Sequence, residues 1–192
     1  MEINMSKKIM IVGVGGQGTL LASRILGNTV INEGYEVKVS EVHGMSQRGG
    51  SVVTYVKYGD SVYSPIIDRG EADIILAFEM LEAYRALPYL KKNGMMIVNN
   101  QSIDPMPVIT GAMEYPKDIQ KKLEGIINIK TVNALDIAKE AGNIKAVNVV
   151  LIGVMAKNTG IDYEKWIETI KTTVPPKFLD VNLKAFELGY NI

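Results

Sequence analysis

The chain has 192 residues, 47% of them hydrophobic, with 21 Lys+Arg against 21 Asp+Glu, one His and no Cys. The length suits one domain with a full core, and the balanced charge offers no concentrated positive field for nucleic acid. The missing cysteines exclude thiol nucleophiles, zinc–thiolate sites, cysteine-ligated iron–sulfur clusters and disulfides from this chain, in keeping with a reducing cytoplasm.

From the N-terminus, residues 1–8 hold no long apolar stretch that would read as a targeting segment. Residues 8–12 form a short continuous apolar run followed by glycines, the pattern of a strand inside a parallel sheet. Between Gln17 and Glu33 the period turns helical, with Ala22, Ile25, Leu26, Thr29 and Val30 on one face and Gly34 as the stop. Residues 35–39 alternate as a second strand, so the order predicts a βαβ unit with a right-handed crossover. Residues 51–57 predict a third strand. Tyr58-Gly59-Asp60-Ser61 supplies turn chemistry, and residues 62–64 an antiparallel return. A buried strand follows at 73–78, then a helix over 79–90 cut short by Pro88. Asn93-Gly94 reads as a turn into a strand at 95–98, and residues 104–107 as an irregular link.

The pattern continues with a short helix from Tyr115 to Leu123, a strand at 126–132 and a helix at 134–141 closed by Gly142. Val147, Val150, Leu151 and Val154 keep helical spacing within a run that is apolar around much of its circumference, which predicts a buried helix. That run, interrupted by Asn148, falls far short of the ~20 residues that cross a bilayer, so the chain reads as soluble, with no membrane contact. Tyr163, Trp166, Ile167 and Ile170 form a stripe behind Asp162 as N-cap. Pro175-Pro176 then breaks the chain before an amphipathic helix marked by Leu179, Asn182, Leu183 and Phe186, ending near Gly189. Alternating strands and helices, without repeat or linker, predict an α/β fold: one domain over 1–192 with a mostly parallel sheet and flanking helices.

Two glycine-bearing loops carry the candidate site. Gly13-Val14-Gly15-Gly16-Gln17-Gly18 has the spacing of a dinucleotide fingerprint and stands between a strand and a helix, the Rossmann-like context. Absent side chains let backbone N–H groups approach a phosphate, and the helix dipole favours negative charge there. Glu41 is the acid nearest the ribose-holding position, somewhat beyond the usual ~20 residues. Three readings fit: a tight packing turn, a site for a phosphate-bearing ligand shared with another subunit, and an NAD(P) or FAD site. The second loop, Glu41-Val42-His43-Gly44-Met45-Ser46-Gln47-Arg48-Gly49-Gly50-Ser51, lies between two strand-like runs and holds the sole histidine. His43, Gln47, Arg48 and Ser51 make a dense polar cluster of the kind binding loops carry. Arg48 can fork onto a carboxylate or phosphate, and Gly44, Gly49 and Gly50 allow close approach. Binding or docking fits this loop better than proton transfer, although Glu41 can orient the imidazole; the plain alternative is a histidine that ties the loop.

Glu79 follows a buried strand, where it either faces the same crevice or stabilises the helix start. Asn148 needs hydrogen-bond partners if buried, and contact with a loop is expected. Gly59-Asp60 with Asn99-Asn100 suggests the thiamine diphosphate motif, but Ser61 replaces its third glycine and the gap is long. The pair is rejected as a cofactor site, and metal-ligand spacing is absent elsewhere.

Gly13-Val14-Gly15-Gly16-Gln17-Gly18, His43-Gly44-Met45-Ser46-Gln47-Arg48-Gly49-Gly50 and Ala77-Phe78-Glu79 together resemble the gamma-type subunits of 2-oxoacid:ferredoxin oxidoreductases. The resemblance covers nearly the whole chain, including Asn148 with Gly153 and the 182–189 segment. The His-Gly-x-x-x-Arg-Gly-Gly core is its most specific part, and the Met-Ser-Gln insert favours the indolepyruvate type, in its beta subunit, over the pyruvate and 2-oxoglutarate types. It implies a non-redox subunit of a complex that oxidatively decarboxylates arylpyruvates to aryl-acetyl-CoA and reduces ferredoxin. A larger alpha subunit would carry thiamine diphosphate, Mg2+ and 4Fe-4S clusters, with coenzyme A as cosubstrate. This chain would bind no cofactor alone and would be inactive alone. The residues it turns toward a ligand or partner would be Gly13, Gly15, Gly16, Gln17, Gly18, His43, Gly44, Gln47, Arg48, Gly49, Gly50, Ser51 and Glu79, with no chemical step assigned to any. An independent Rossmann-type NAD(P)- or nucleotide-binding protein is the alternative, and a scaffold that only stabilises its partner the third.

Overall fold

The computed structural model describes residues 6–44 and 49–192. Its elements are β1 (Lys7–Val14), α1 (Thr19–Asn32), β2 (Glu36–His43), β3 (Ser51–Gly59), β4 (Ala72–Ala77), α2 (Met80–Ala86), β5 (Leu90–Asn99), α3 (Met106–Ile109), α4 (Ile119–Glu124), β6 (Asn128–Val132), α5 (Ala134–Ala141), α6 (Val147–Ala156), α7 (Tyr163–Thr173) and α8 (Leu179–Tyr190). The consecutive residues Ile9 to Val12 are all buried. A strand apolar on both faces must lie inside a sheet covered on both sides.

One six-stranded sheet results, in the order β2-β3-β1-β4-β5-β6. β1, β4, β5 and β6 pair in parallel, and β3 is antiparallel to both of its neighbours. The mostly parallel α/β expectation holds, but the first βαβ unit is split. β3 inserts between β1 and β2, so β2 never pairs with β1. The physical reason is apolarity. β3 buries Val52, Thr54, Val56 and Tyr58, whereas β2 carries Glu36, Lys38, Ser40 and Glu41 and takes the edge, where charge discourages further pairing. The glycine-rich hairpin loop joins these two strands. The antiparallel return expected at 62–64 does not form; the Val62 amide instead donates to the Glu36 carboxylate at 3.0 Å.

Several other boundaries move. β2 runs on through Glu41, Val42 and His43, which the sequence placed in the loop, and β3 takes up Tyr58 and Gly59, which it placed in a turn. α4 starts at Ile119 and not at Tyr115, and β6 at Asn128. The helix after β4 ends at Ala86, where a single 3-10 turn, Leu87–Tyr89, accommodates Pro88. β5 then starts at Leu90 and runs through Asn93-Gly94, where a turn was expected. Asn93 adopts a left-handed φ of 68°. A Cβ on Gly94 would lie 2.9 Å from the Ala72 carbonyl oxygen, so the register shift beside Ala72 needs glycine. The link at 104–107 contains one helical turn, α3. Asp162 stands at the N-cap of α7, but its side chain makes no capping hydrogen bond.

On one face α1, α5, α6, α7 and α8 pack over Ile9, Ile11, Leu76 and Ile97; on the other α2 and α4 cover Met10, Val12, Ile75 and Met96. α6 is buried from Asn148 to Ala156, each large aliphatic side chain contributing about 1.5–3 kcal/mol. Its approach to α8 is set by two glycines: a Cβ on Gly153 would meet the Phe186 carbonyl oxygen at 2.3 Å, and one on Gly189 the Val150 carbonyl oxygen at 2.1 Å. Gly27 on α1 has nothing within 4 Å of such a Cβ. Thermal melts of the two alanine variants should therefore diverge. Gly189→Ala should lose about 3 kcal/mol by forcing the helices apart, while Gly27→Ala should gain about 0.5–1 kcal/mol from helix propensity.

The Tyr58 hydroxyl is buried with no hydrogen-bond partner among the described residues. Burial, with smaller contributions from Tyr35 and Asp73, pushes its phenol up from 10.0 to about 12. The folded state thus resists an ionisation that the unfolded chain undergoes near its ordinary value. Stability is untouched by this group below that value and falls as pH climbs toward about 12. In urea titrations, Tyr58→Phe should flatten that alkaline decline and leave neutral-pH stability equal or slightly higher, because it removes an unpaired buried hydroxyl.

Candidate active-site face

The carboxyl ends of β1, β4, β5 and β6, the end of β2 and the start of β3 lie at one end of the sheet, since Val14 pairs with Ser51 and His43 with Val52. The glycine turn and the hairpin therefore meet, and the Gly15 amide donates to the Gly50 carbonyl at 2.9 Å. Gly49 adopts φ 78°. Gln47 and Arg48 lie outside the described residues.

Within the turn, Gln17 folds inward. Its Oε1 accepts from the Val14 amide at 2.7 Å, and its Nε2 donates to the Phe78 carbonyl at 3.0 Å and to Gln101 Oε1 at 3.2 Å. The Gln17 amide itself closes a turn onto the Val14 carbonyl. The amides of Val14, Gly15 and Gln17 are thus engaged inside the protein, although a phosphate cradle would offer such donors outward. The glycines have packing reasons as well. A Cβ on Gly13 would meet Gln17 Oε1 at 2.9 Å and the Phe78 Cβ at 3.0 Å. Gly18, at φ 84°, would meet Asn148 Nδ2 at 2.6 Å. Asn148 donates to the Gly18 carbonyl at 3.3 Å, the loop contact expected of an asparagine in an apolar helix. Gly16, at φ 99°, opens onto free space.

A groove of about 410 Å³ runs beside this turn, lined by Gly15, Gly16, Gly18, Thr19, Leu20, Glu41, His43 and Val52. Glu41 reaches it although β3 separates its strand from β1. Its carboxylate accepts from Thr54 Oγ1 at 3.3 Å and stands 3.6 Å from His43 Nδ1. The imidazole is largely exposed, so Glu41 stands beside a histidine that faces outward. Negative charge on this wall suits a ligand donor or cation better than a phosphate.

Glu79 does not face the crevice. It is buried, caps α2 by accepting from the Glu82 amide at 2.9 Å, and accepts at its other oxygen from the Ile103 amide at 3.0 Å and the Tyr115 hydroxyl at 2.5 Å. Burial and then this carboxylate push the Tyr115 phenol well above its ordinary range, which keeps it a donor. Three residues on, Glu82 is buried too: one oxygen accepts from Ser51 Oγ at 2.6 Å, the other from Arg85 Nη1 at 2.5 Å. The exposed Ser51 is thus tied by its hydroxyl at the hairpin base. Sequence reasoning missed Glu82 and Thr54; the available signal was a second acid three residues after Glu79, at the start of a helix that must be buried. A second cavity, about 670 Å³, lies between the start of α2 and α4, beside Met80, Ser102, Tyr115, Lys117 and Lys121.

The residues do not fit thiamine diphosphate. Gly59 ends β3 opposite Glu36, at the amino end of the parallel strands, while Asn99 ends β5 at the carboxyl end. Asn99 is buried, donates to Phe78 O and Gln101 Oε1, and accepts from the Ala134 amide. Among the described residues no cluster of three or more His, Asp or Glu can hold a metal ion, and no helix is long and apolar enough to cross a membrane.

Residues 8–192 match the family model described as pyruvate ferredoxin/flavodoxin oxidoreductase. The chain belongs to that family. Family members at higher identity include the indolepyruvate oxidoreductase subunit IorB of Pyrococcus horikoshii, 46% identical over 94% of this chain and 93% of that one. The ketoisovalerate oxidoreductase subunit VorA of Methanothermobacter marburgensis is 29% identical over 95% of this chain but only 35% of its own. Among solved structures, the gamma subunit of a keto/oxoacid ferredoxin oxidoreductase from Geobacter sulfurreducens shares the fold, with TM-score 0.72, 24% identity and 96% of each chain covered. In this member of the family the glycine turn is braced from inside, which gives Gln17 a structural test. Gln17→Glu replaces the Nε2 donor with an oxygen facing the Phe78 carbonyl and Gln101 Oε1. Denaturant unfolding should show a loss of about 2–3 kcal/mol.

Proposed function

We propose that this chain is the small, non-redox subunit of an indolepyruvate, or more broadly arylpyruvate, ferredoxin oxidoreductase. The complex decarboxylates the 2-oxoacid, joins the resulting acyl group to coenzyme A and passes the electrons to ferredoxin. The observation that carries this reading is the 46% identity, over nearly the full length of both chains, to a subunit named for indolepyruvate. The lower identity to the ketoisovalerate relative agrees with it. The complex would work in the cytoplasm, and this chain would contribute a single domain.

The chain's chemistry supports a subunit that borrows its redox machinery. It has no cysteine to ligate a cluster, and its Gly59 and Asn99 lie at opposite ends of the sheet. Thiamine diphosphate, Mg2+ and 4Fe-4S clusters then belong to a larger alpha subunit, where the thiamine group supplies the decarboxylation chemistry. This chain's part is to present a face. The turn of Gly13, Gly15, Gly16, Gln17 and Gly18 and the hairpin of His43, Gly44, Gln47, Arg48, Gly49, Gly50 and Ser51 would border the approach of coenzyme A or the 2-oxoacid. Glu41 would hold the imidazole outward, Arg48 would supply a cation for a carboxylate or phosphate, and Glu79 would hold the face together from beneath.

An independent dinucleotide-binding protein is disfavoured by the inward use of the Val14, Gly15 and Gln17 amides. Calorimetry of the isolated chain with NAD(P)H, FAD and coenzyme A should show no tight stoichiometric dinucleotide binding; such binding would overturn the proposal. Indolepyruvate-dependent ferredoxin reduction should require co-expression with the larger subunit. An Arg48→Ala complex should assemble normally and turn over at least about tenfold more slowly; full activity would leave only a scaffold role.

A further inference from the structure

The segment between β5 and α4 holds three of the five most exposed large hydrophobic side chains among the described residues. Met106, Ile109 and Met113 are 64%, 65% and 65% exposed, and no residue of α3 is buried. Yet the segment is well formed. Thr110 Oγ1 donates to the Met106 carbonyl at 3.0 Å, the Met113 amide to the Pro107 carbonyl at 3.0 Å, and the Gly111 amide to the Val108 carbonyl at 3.0 Å. Pro105 and Pro107 restrict it further. Both of its ends close on one atom: Glu79 Oε1 accepts from the Ile103 amide where the arm departs and from the Tyr115 hydroxyl where it returns. Burying a carboxylate is costly unless its hydrogen bonds are complete. Here the completed set fixes an arm that covers none of the core.

We propose that the arm, residues 104–114, is a docking element that inserts its apolar triad into a recess on the larger subunit. This rests on the function proposed above. Charge selects that occupant over a second copy of this chain: Asp104 and Glu114 are exposed at the ends of the arm, and two arms packed together would set like charges against each other. The triad presents on the order of a few hundred Å² of apolar surface, short of the ~800 Å² that each partner of a stable dimer contributes. It must therefore be part of a wider contact. The hairpin supplies the continuation, because α2 holds both: Glu79 clasps the arm and, one turn on, Glu82 clasps Ser51. In the ketoisovalerate relative the matching region is 35% of one longer chain. The charge around the triad specifies the recess. Asp104 and Glu114 stand exposed at the two ends of the arm, and Glu114 meets Lys117 only at 3.9 Å. The recess is apolar with a basic rim. Methionine, flexible and polarisable, suits such a fit.

The test measures the affinity of the full-length chain for the purified larger subunit, with sedimentation and melting of the chain alone. Met106→Ser, Ile109→Ser and Met113→Ser combined should weaken association about a hundredfold while the melting temperature stays unchanged. Should that variant melt low, Ile109→Asp alone should give the same direction of change. Ile126→Ser removes an equally exposed side chain just before the amino end of β6 and should leave affinity unchanged. Wild-type affinity in the arm variants, or an equal loss in Ile126→Ser, overturns the proposal. So does a wild-type chain that dimerises through the arm and loses the dimer in the triple variant, which would name a second copy as the occupant. If wild type itself does not bind the larger subunit, the proposed function fails first and the arm's role with it.

Discussion

The peptide backbone of Phe78 is the point on which this molecule closes. At the end of β4 its amide donates to the Val12 carbonyl at 2.8 Å, and its carbonyl accepts from Gln17 Nε2 and Asn99 Nδ2. A parallel sheet leaves unpaired backbone groups at its carboxyl end, and buried ones must find partners. Two side-chain amides, one from the turn after β1 and one from the end of β5, supply them here. The same bonds bring the glycine turn, the start of α2 and the strand that precedes the arm to one place. The face exists because a hydrogen-bonding requirement of the sheet is met by side chains.

Two carboxylates extend that closure outward. Glu79 and Glu82 lie one helical turn apart on α2, both buried, each with its oxygens hydrogen-bonded. One holds the arm, the other the base of the hairpin. Acids at a helix N-terminus gain from the dipole, so the same residues stabilise α2 and position two surface features that are far apart in sequence. The face is built on a rigid floor, and its outward elements are loops, the usual division between scaffold and function.

The split of the first βαβ unit changes what the glycine fingerprint means. In a doubly wound fold the second strand sits beside the first and its terminal acid meets a ribose. Here β3 occupies that place and β2 moves to the edge. Glu41 still reaches the groove, now as the partner of His43 and Thr54. A motif that is correct in spacing and local context thus serves packing, with Gly13 against Gln17 and Phe78, and Gly18 against Asn148.

The sequence by itself determined the family and the presence of the main elements, though not all of their bounds. Apolar runs marked β1 and β4, helical stripes marked α1, α7 and α8, and the absence of cysteine ruled out a cysteine-ligated cluster on this chain; each is a local property that periodicity or composition displays. Family membership was legible because the His43–Gly50 loop and the glycine turn are unusual in combination. Tertiary structure alone decided the strand order, the inward turn of Gln17, the burial of Glu82 and the clasp of Glu79 on Ile103 and Tyr115. These depend on which distant groups need a hydrogen-bond partner once water is excluded. That need has no period along the chain and arises only when the strands have been laid side by side.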